Sequence, residues 1–290
     1  MHTVLFFVMA FGNLLGALIV TRSRAAAVAL ASLSVMAPVA LTREWPIFRT
    51  VVAFGFAAGF LRVVQLAHDV SGTTVGSRVL AVTCLIIDPR VGRVPRSFKV
   101  DKLVAGAFEI AFAVALFLLP YPAHPVDWQH EALRVLVGAC SAYFVVDGVA
   151  RVAETIVSAF GLDAGPFHDD PIRARTVGEF WSRRWNRAVN AWLREFTFRP
   201  TAKRVGVAAG VLAAFGTSAL LHGIPIAVAF DWKPAIPMTG FFLLHGVIVI
   251  VESRLGVARW PRAMGHVWTL AVFAVTAPLF VDPLLGSLGR

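Results

Sequence analysis

Apolar runs of about 18 to 20 residues recur along this chain, and each is long enough to cross a bilayer as a helix. Hydrocarbon offers no water to a peptide group, so a spanning backbone must satisfy its own hydrogen bonds. Only 15% of the 290 residues are charged and 58% are hydrophobic, against about 25% charged in an ordinary soluble domain. The expected fold class is all-α, a polytopic transmembrane helical bundle. About eight spans are predicted, at 3–20, 25–41, 50–67, 103–119, 131–150, 204–228, 236–253 and 264–282. No polar stretch is long enough to fold as a soluble core, so residues 1–290 read as a single integral membrane domain. The stretch Val79–Ile87 is apolar but too short to cross, and reads as re-entrant or interfacial. The N-terminal MHTVLFFVMAFGNLLGALIV lacks a basic leader and a small-residue cleavage site, and is expected to be a first span rather than a removable signal.

A net charge of +10 and a pI near 10.9 raise the possibility of nucleic acid, but the charges lie in loops beside apolar runs. The expected partner is therefore membrane lipid, with its anionic headgroups, and not nucleic acid. With this set of spans, 20 Lys and Arg fall in one set of loops and 4 in the other. That asymmetry places the basic loops, including residues 161–204, in the cytoplasm of a multi-pass protein. Cys84 and Cys140 sit in apolar surroundings and read as small packing residues. In PYPAHPVDWQHE, His124, Asp127 and His130 resemble a metal cluster only superficially, because three prolines deny them a regular scaffold, and no metal site is expected.

One stretch breaks the apolar pattern: PIRARTVGEFWSRRWNRAVNAWLREFTFRP, from Pro171 to Pro200. At helical period Trp181, Trp185, Val189, Trp192 and Phe196 fall on one side. Glu179, Ser182, Asn186 and Asn190 make a polar stripe, and Arg183, Arg187 and Arg194 a third face. A cytoplasmic amphipathic or re-entrant helix near 176–198 is expected, with rings at headgroup depth and guanidinium groups among phosphates. Such a helix could be an anchor alone, or its polar stripe could face a reacting molecule.

Ionisable groups within apolar spans are costly and so are functional candidates. His222 stands in FGTSALLHGIPIAVAF with Ser218 one turn earlier, and Pro225 removes a backbone donor nearby. A neutral imidazole there could accept the proton of an alcohol, or could simply bond a neighbouring helix. His245, in the similar string LLHG of the next span, could line the same cavity, ranked below His222. Glu252 two turns on could face water or pair with Arg254. Phe167-His168-Asp169-Asp170 precedes Pro171 and reads as a turn. No nucleotide-binding glycine loop and no G-x-S-x-G elbow is present.

Two separated pieces resemble a known pattern. FHDDPIRARTVGEFWSRRWNRAVNAWLREFTFRP resembles the signature of the wax synthase-like branch of the membrane-bound O-acyltransferases, with its F-W-x-R-R-W-(H/N) core. SALLHG resembles that branch's downstream S-G-L-(L/M)-H-E string, and GFFLLHGVIVIVE its next span. The motif-bearing part covers about residues 165–285. The family's membrane histidine falls on His222 and the position after its second Trp on Asn186; Gly223 and Ala219 depart from the family's Glu and Gly.

The resemblance implies that an acyl group passes from acyl-CoA to a hydroxyl inside a membrane tunnel, with a long-chain alcohol as lipophilic acceptor and a wax ester as product. It implies His222 as base and Asn186 as carbonyl donor, and Arg183, Arg184 and Arg187 near the phosphates of coenzyme A. Trp181, Trp185, Ser218 and His245 complete the expected substrate-binding set. Acyl-CoA enters as co-substrate, with no permanently bound cofactor. Acyl or acetyl transfer to a sterol or secondary-metabolite hydroxyl is an alternative. A non-catalytic membrane lipid-binding protein is another, discouraged by the absence of matched halves. Nothing in the sequence sets an oligomeric state.

Overall fold

The computed structural model describes residues 11–41, 45–84, 94–119, 127–162 and 167–287. All regular structure among these residues is helical. Five helices among them are long and apolar enough to cross a membrane: Phe48–His68, Trp128–Ala159, Val207–Ala229, Trp232–Leu255 and Arg262–Leu285. They match five of the expected spans, although Trp128–Ala159 outruns 131–150 at both ends. At 32 residues it is about 48 Å long, against about 30 Å of hydrocarbon. Three further expected spans correspond to less complete elements. Val100–Phe117 is a helix of 18 residues. Arg24–Met36 continues as a 3-10 turn to Ala40. Gly12–Ile19 is the described part of the first apolar run, whose residues 3–10 lie outside the described residues. So do residues 88–93 of the basic 88–102 loop and His124 of the proline-rich turn. Of the short apolar piece, residues 79–83 form the end of a nine-residue helix, Val75–Thr83, started by a reciprocal Thr74–Ser77 capping box, and residues 85–87 lie outside the described residues.

The chain divides into two compact units. The first comprises Met1–Ser97, Val157–Gly165 and Leu221–Ala235. Its core is built from Ala17, Val20, Ala27, Ala31, Val63, Leu66 and Val82. Its three alanines let neighbouring helices come close, which is how helices in lipid gain contact without a drive to flee water. A Cβ on Gly16 would sit 2.8 Å from the Ala27 carbonyl oxygen. Polar groups here bond across helices: Asn13 Nδ2 donates to the Phe56 carbonyl at 3.0 Å, and Arg49 Nη2 to the Val228 carbonyl at 2.8 Å.

The second unit comprises Phe98–Ile156, Pro166–Leu220 and Ile236–Arg290. One of its close crossings joins Gly106 to Gly148, where a Cβ on either would lie 2.7 Å from the other's carbonyl oxygen. Arg134 ties two helices together, donating to Asp282 Oδ1 at 2.5 Å and to Glu131 Oε1 at 3.0 Å. Gly148→Val is expected to force the crossing apart and to cost about 1–3 kcal/mol. Thermal unfolding of detergent-solubilised protein tests this, and an unchanged midpoint would contradict the close approach.

Candidate functional site

Thr176 opens the site, its hydroxyl accepting the Glu179 N–H at 2.8 Å as an N-cap. The short helix Val177–Glu179 runs directly into a π-helical turn, Phe180–Arg184. Regular structure then stops at Trp185, which is extended, and at Asn186, which is left-handed at φ 41°. Asn tolerates that region better than most residues. Asn186 also caps the next helix, Arg187–Leu193, its Oδ1 accepting the Val189 N–H at 3.2 Å. A second π turn at Arg194–Phe198 leads into Arg199–Val205, which ends at Gly206 with φ 106°.

The single amphipathic helix expected near 176–198 is therefore two helical pieces with a break between them. The stripe of Trp181, Trp185, Val189, Trp192 and Phe196 is divided at that break. The physical cause lies in the preceding turn. Asp169 N–H donates to the Arg184 carbonyl at 2.8 Å, and Arg187 N–H donates to the Phe167 carbonyl at 2.9 Å. Residues 167–169 thus take up peptide groups that a continuous helix would have used itself.

The two signature tryptophans go to different surroundings. Trp181 packs against Phe242 at 5.6 Å, His245 at 5.7 Å and Phe273 at 6.0 Å between ring centroids. Its indole Nε1 is buried and has no hydrogen-bond partner among the described residues. Trp185 instead stacks on the His168 ring at 4.2 Å and an 18° tilt, and lies 5.8 Å from Tyr143. His245 is fully buried, enclosed by rings as well as neighbouring Trp181. Its Nδ1 lies 2.9 Å from the Phe241 carbonyl; a carbonyl only accepts, so Nδ1 carries the hydrogen. Nε2 is left as an acceptor, 3.4 Å from Thr276 Oγ1, whose own hydrogen goes to the Val272 carbonyl at 2.8 Å.

Glu252 does not face water or pair with Arg254 in the way its position near a helix end suggests. It is only 4% exposed and accepts from Val177 N–H at 2.9 Å, Gly178 N–H at 2.5 Å and Trp268 Nε1 at 3.1 Å. The orphan amides at the start of the Trp181 segment, with their positive dipole end, draw the carboxylate inward. Arg184 is also bonded within the fold through two of its three guanidinium nitrogens. It donates to Glu179 Oε1 at 2.7 Å and to the Asp169 carbonyl at 3.0 Å. Arg183 and Arg187 are exposed. Burial raises the Glu179 carboxyl, but the Arg175 N–H and the Arg184 guanidinium outweigh it and hold the group below its usual range.

His222 belongs to the first unit. It lies on the Val207–Ala229 helix, half-buried, with the Phe54 ring 5.7 Å away at 61°. Pro225 interrupts that helix's ladder of donors. Ser218, one turn earlier, is buried. Of the expected residues in the second unit, Trp181 and His245 are brought into contact, and Trp185 and Asn186 form the break.

Sequence reasoning missed a buried polar network in the second unit. His168 Nδ1 lies 2.7 Å from Asp147 Oδ1, with side chains 4% and 6% exposed. Arg151 pairs with Asp147 Oδ2 at 3.0 Å and with Glu109 Oε2 at 3.1 Å. Glu154 accepts the Phe167 N–H at 2.5 Å and pairs with Lys102 at 2.9 Å. The available signal was Glu109, Asp147 and Glu154 interrupting apolar helical runs, where an unpaired charge is costly.

These anchors lead to two expected outcomes. Glu252→Ala strands two backbone amides and an indole, and should cost about 2–4 kcal/mol, read as a lowered unfolding midpoint; an unshifted midpoint would show the carboxylate to be dispensable. Glu179, with a depressed folded pKa, contributes fully above its unfolded value of about 4.3 and loses that contribution as pH falls through the lower folded value. The midpoint gap between wild type and Glu179→Gln should therefore shrink as the medium is acidified, and a gap constant with pH would contradict this.

Comparison with known proteins bears on the same segment. Residues 164–244 match the sequence profile described as the membrane bound O-acyl transferase family. The chain is 26% identical over 282 residues to the probable long-chain-alcohol O-fatty-acyltransferase 3 of Arabidopsis thaliana, covering 88% of this chain and 81% of that one. It is 29% identical over 174 residues to the long-chain-alcohol O-fatty-acyltransferase of Simmondsia chinensis, covering 55% of this chain and 49% of that one. With the acyl-CoA–sterol O-acyltransferase 1 of Arabidopsis thaliana it shares 30% identity over 213 residues, or 68% of this chain and 62% of that one. The profile match takes in the Trp185–Asn186 break, His222 and the first half of the following span, so residues 164–244 carry the sequence signature of the membrane bound O-acyl transferase family, and the chain is similar to a long-chain-alcohol O-fatty-acyltransferase along most of its length.

Proposed function

We propose that this membrane O-acyltransferase moves a fatty acyl group from acyl-CoA to the hydroxyl of a long-chain alcohol, forming a wax ester and free coenzyme A. The observation that carries this reading is the Trp185–Asn186 break inside the family-matched segment. There a side-chain amide sits on a left-handed residue whose Oδ1 is already committed to Val189. Its Nδ2 remains to donate to a thioester carbonyl as that oxygen becomes negative, and one such donor is worth roughly 3 kcal/mol. His222 takes the proton of the alcohol as its oxygen attacks the thioester carbon, and the coenzyme A thiolate leaves as the carbon–sulfur bond breaks. Arg183, Arg184 and Arg187 meet the coenzyme A phosphates, Arg184 with the part of its guanidinium that is not bonded to Glu179 and Asp169. The acyl chain lies among apolar helices, where each buried methylene contributes about 0.8 kcal/mol.

Acyl-CoA is a co-substrate here, and the reaction needs no resident cofactor. We read the whole chain as one acyltransferase domain crossing the membrane eight times. The three shorter helices complete the five long ones, and the arginine-rich segment faces the cytoplasm. The uneven distribution of Lys and Arg between loops supports that orientation. A sterol hydroxyl is the second reading for the acceptor, favoured by the sterol acyltransferase among the relatives.

Thiol release from long-chain acyl-CoA by the purified protein, with a fatty alcohol, a sterol or no acceptor, tests the assignment. Release that depends on fatty alcohol is expected; release with sterol alone moves the acceptor, and none with any acceptor removes the enzyme reading. His222→Ala should abolish turnover while acyl-CoA still binds, and Asn186→Ala should lower kcat by about 100-fold. Wild-type kcat in either variant would take away that residue's role.

A further inference from the structure

The acyl-transfer steps use none of Glu109, Asp147, Arg151 and His168, yet these residues lie directly behind the Trp185–Asn186 turn. The His168 ring is fixed at one nitrogen, with Nδ1 2.7 Å from Asp147 Oδ1. Asp147 is itself held by Arg151 at 3.0 Å, and Arg151 by Glu109 at 3.1 Å. The face of the ring lies 4.2 Å from Trp185, the residue immediately before Asn186. The main chain on either side of His168 is bonded to either side of the turn. Phe167 takes the Arg187 N–H at 2.9 Å, and Asp169 gives its N–H to Arg184 at 2.8 Å. Phe167 is pinned in turn through its own N–H to Glu154 at 2.5 Å.

One further observation argues against a purely stabilising role. His168 Nε2 is buried with no partner among the described residues, and leaving a polar atom so costs free energy that a phenylalanine stacked on Trp185 would avoid. Asn186 is left-handed at φ 41°, a conformation that asparagine tolerates and that the backbone bonds on either side of the turn hold in place.

We propose that His168, oriented by Asp147, is a positioning residue that sets the Trp185–Asn186 turn and hence the direction of the Asn186 amide. The inference rests on the reading of Asn186 as the carbonyl donor. It assigns to this chain's Asp–His pair a role in the rate of acyl transfer rather than in binding acyl-CoA or in folding. The imidazole does not touch the reacting atoms; it acts through Trp185 and the turn.

The test is a double-mutant cycle on the purified full-length protein with His168→Phe, Asn186→Ala and the double variant. His168→Phe keeps a ring against Trp185 and loses only the bond to Asp147. It should lower kcat by about 10- to 100-fold, as a misplaced group does. KM for acyl-CoA should move less than about twofold, and the unfolding midpoint should stay near that of the wild type. Because His168 acts through Asn186, the double variant should be no slower than Asn186→Ala alone. Asp147→Asn, whose amide oxygen still accepts from Nδ1, should retain most of the wild-type kcat. Wild-type kcat in His168→Phe, a loss matched by a fall in folded protein, or a further drop in the double variant would each overturn the proposal. Wild-type kcat in Asn186→Ala would instead bring down the donor reading on which it stands.

Discussion

A backbone N–H or C=O buried away from water has to be met by a protein group, wherever in the molecule it lies. The second unit departs from helix repeatedly between Phe167 and Asn186, and carboxylates on its long helices take up the stranded amides. Glu252 receives Val177 and Gly178, and Glu154 receives Phe167. Arg184 does the converse, giving its hydrogens to the Asp169 and Asp170 carbonyls. The charges set into apolar helices thus support an irregular stretch of backbone.

This arrangement bears on chemistry through preorganisation. A donor that stabilises charge developing on a carbonyl oxygen is most effective when it needs no rearrangement at the moment of reaction. Asn186 sits at a bend closed by backbone bonds on both flanks and capped through its own Oδ1. Under the proposed reaction, the amide nitrogen is the one part of that side chain left for a substrate.

The helical class and five of the spans were legible in the chain because length and apolarity alone suffice to identify a crossing helix. The importance of the tryptophan-rich segment was legible too, from residue types at a spacing that matched a family signature. Its shape was not. Helical period predicted one continuous face, yet period counts residues on an ideal helix and is blind to a π turn, which adds a residue, or to a left-handed break. Asn186 allows such a break without requiring one.

The polar partners were the other illegible part. Glu252 near a helix end reads locally as exposed, and His168 before a proline reads locally as a turn. Each is buried through residues far away in sequence, Val177 and Asp147 respectively. The amino-acid order by itself determined that this chain is helical, apolar enough to cross a membrane several times and similar to membrane O-acyltransferases, because those properties come from composition, run length and short motifs. Only the tertiary structure decided which carboxylate meets which amide and where the signature helix breaks. Those outcomes depend on contacts between helices widely separated along the chain, and a local pattern of residues carries no record of them.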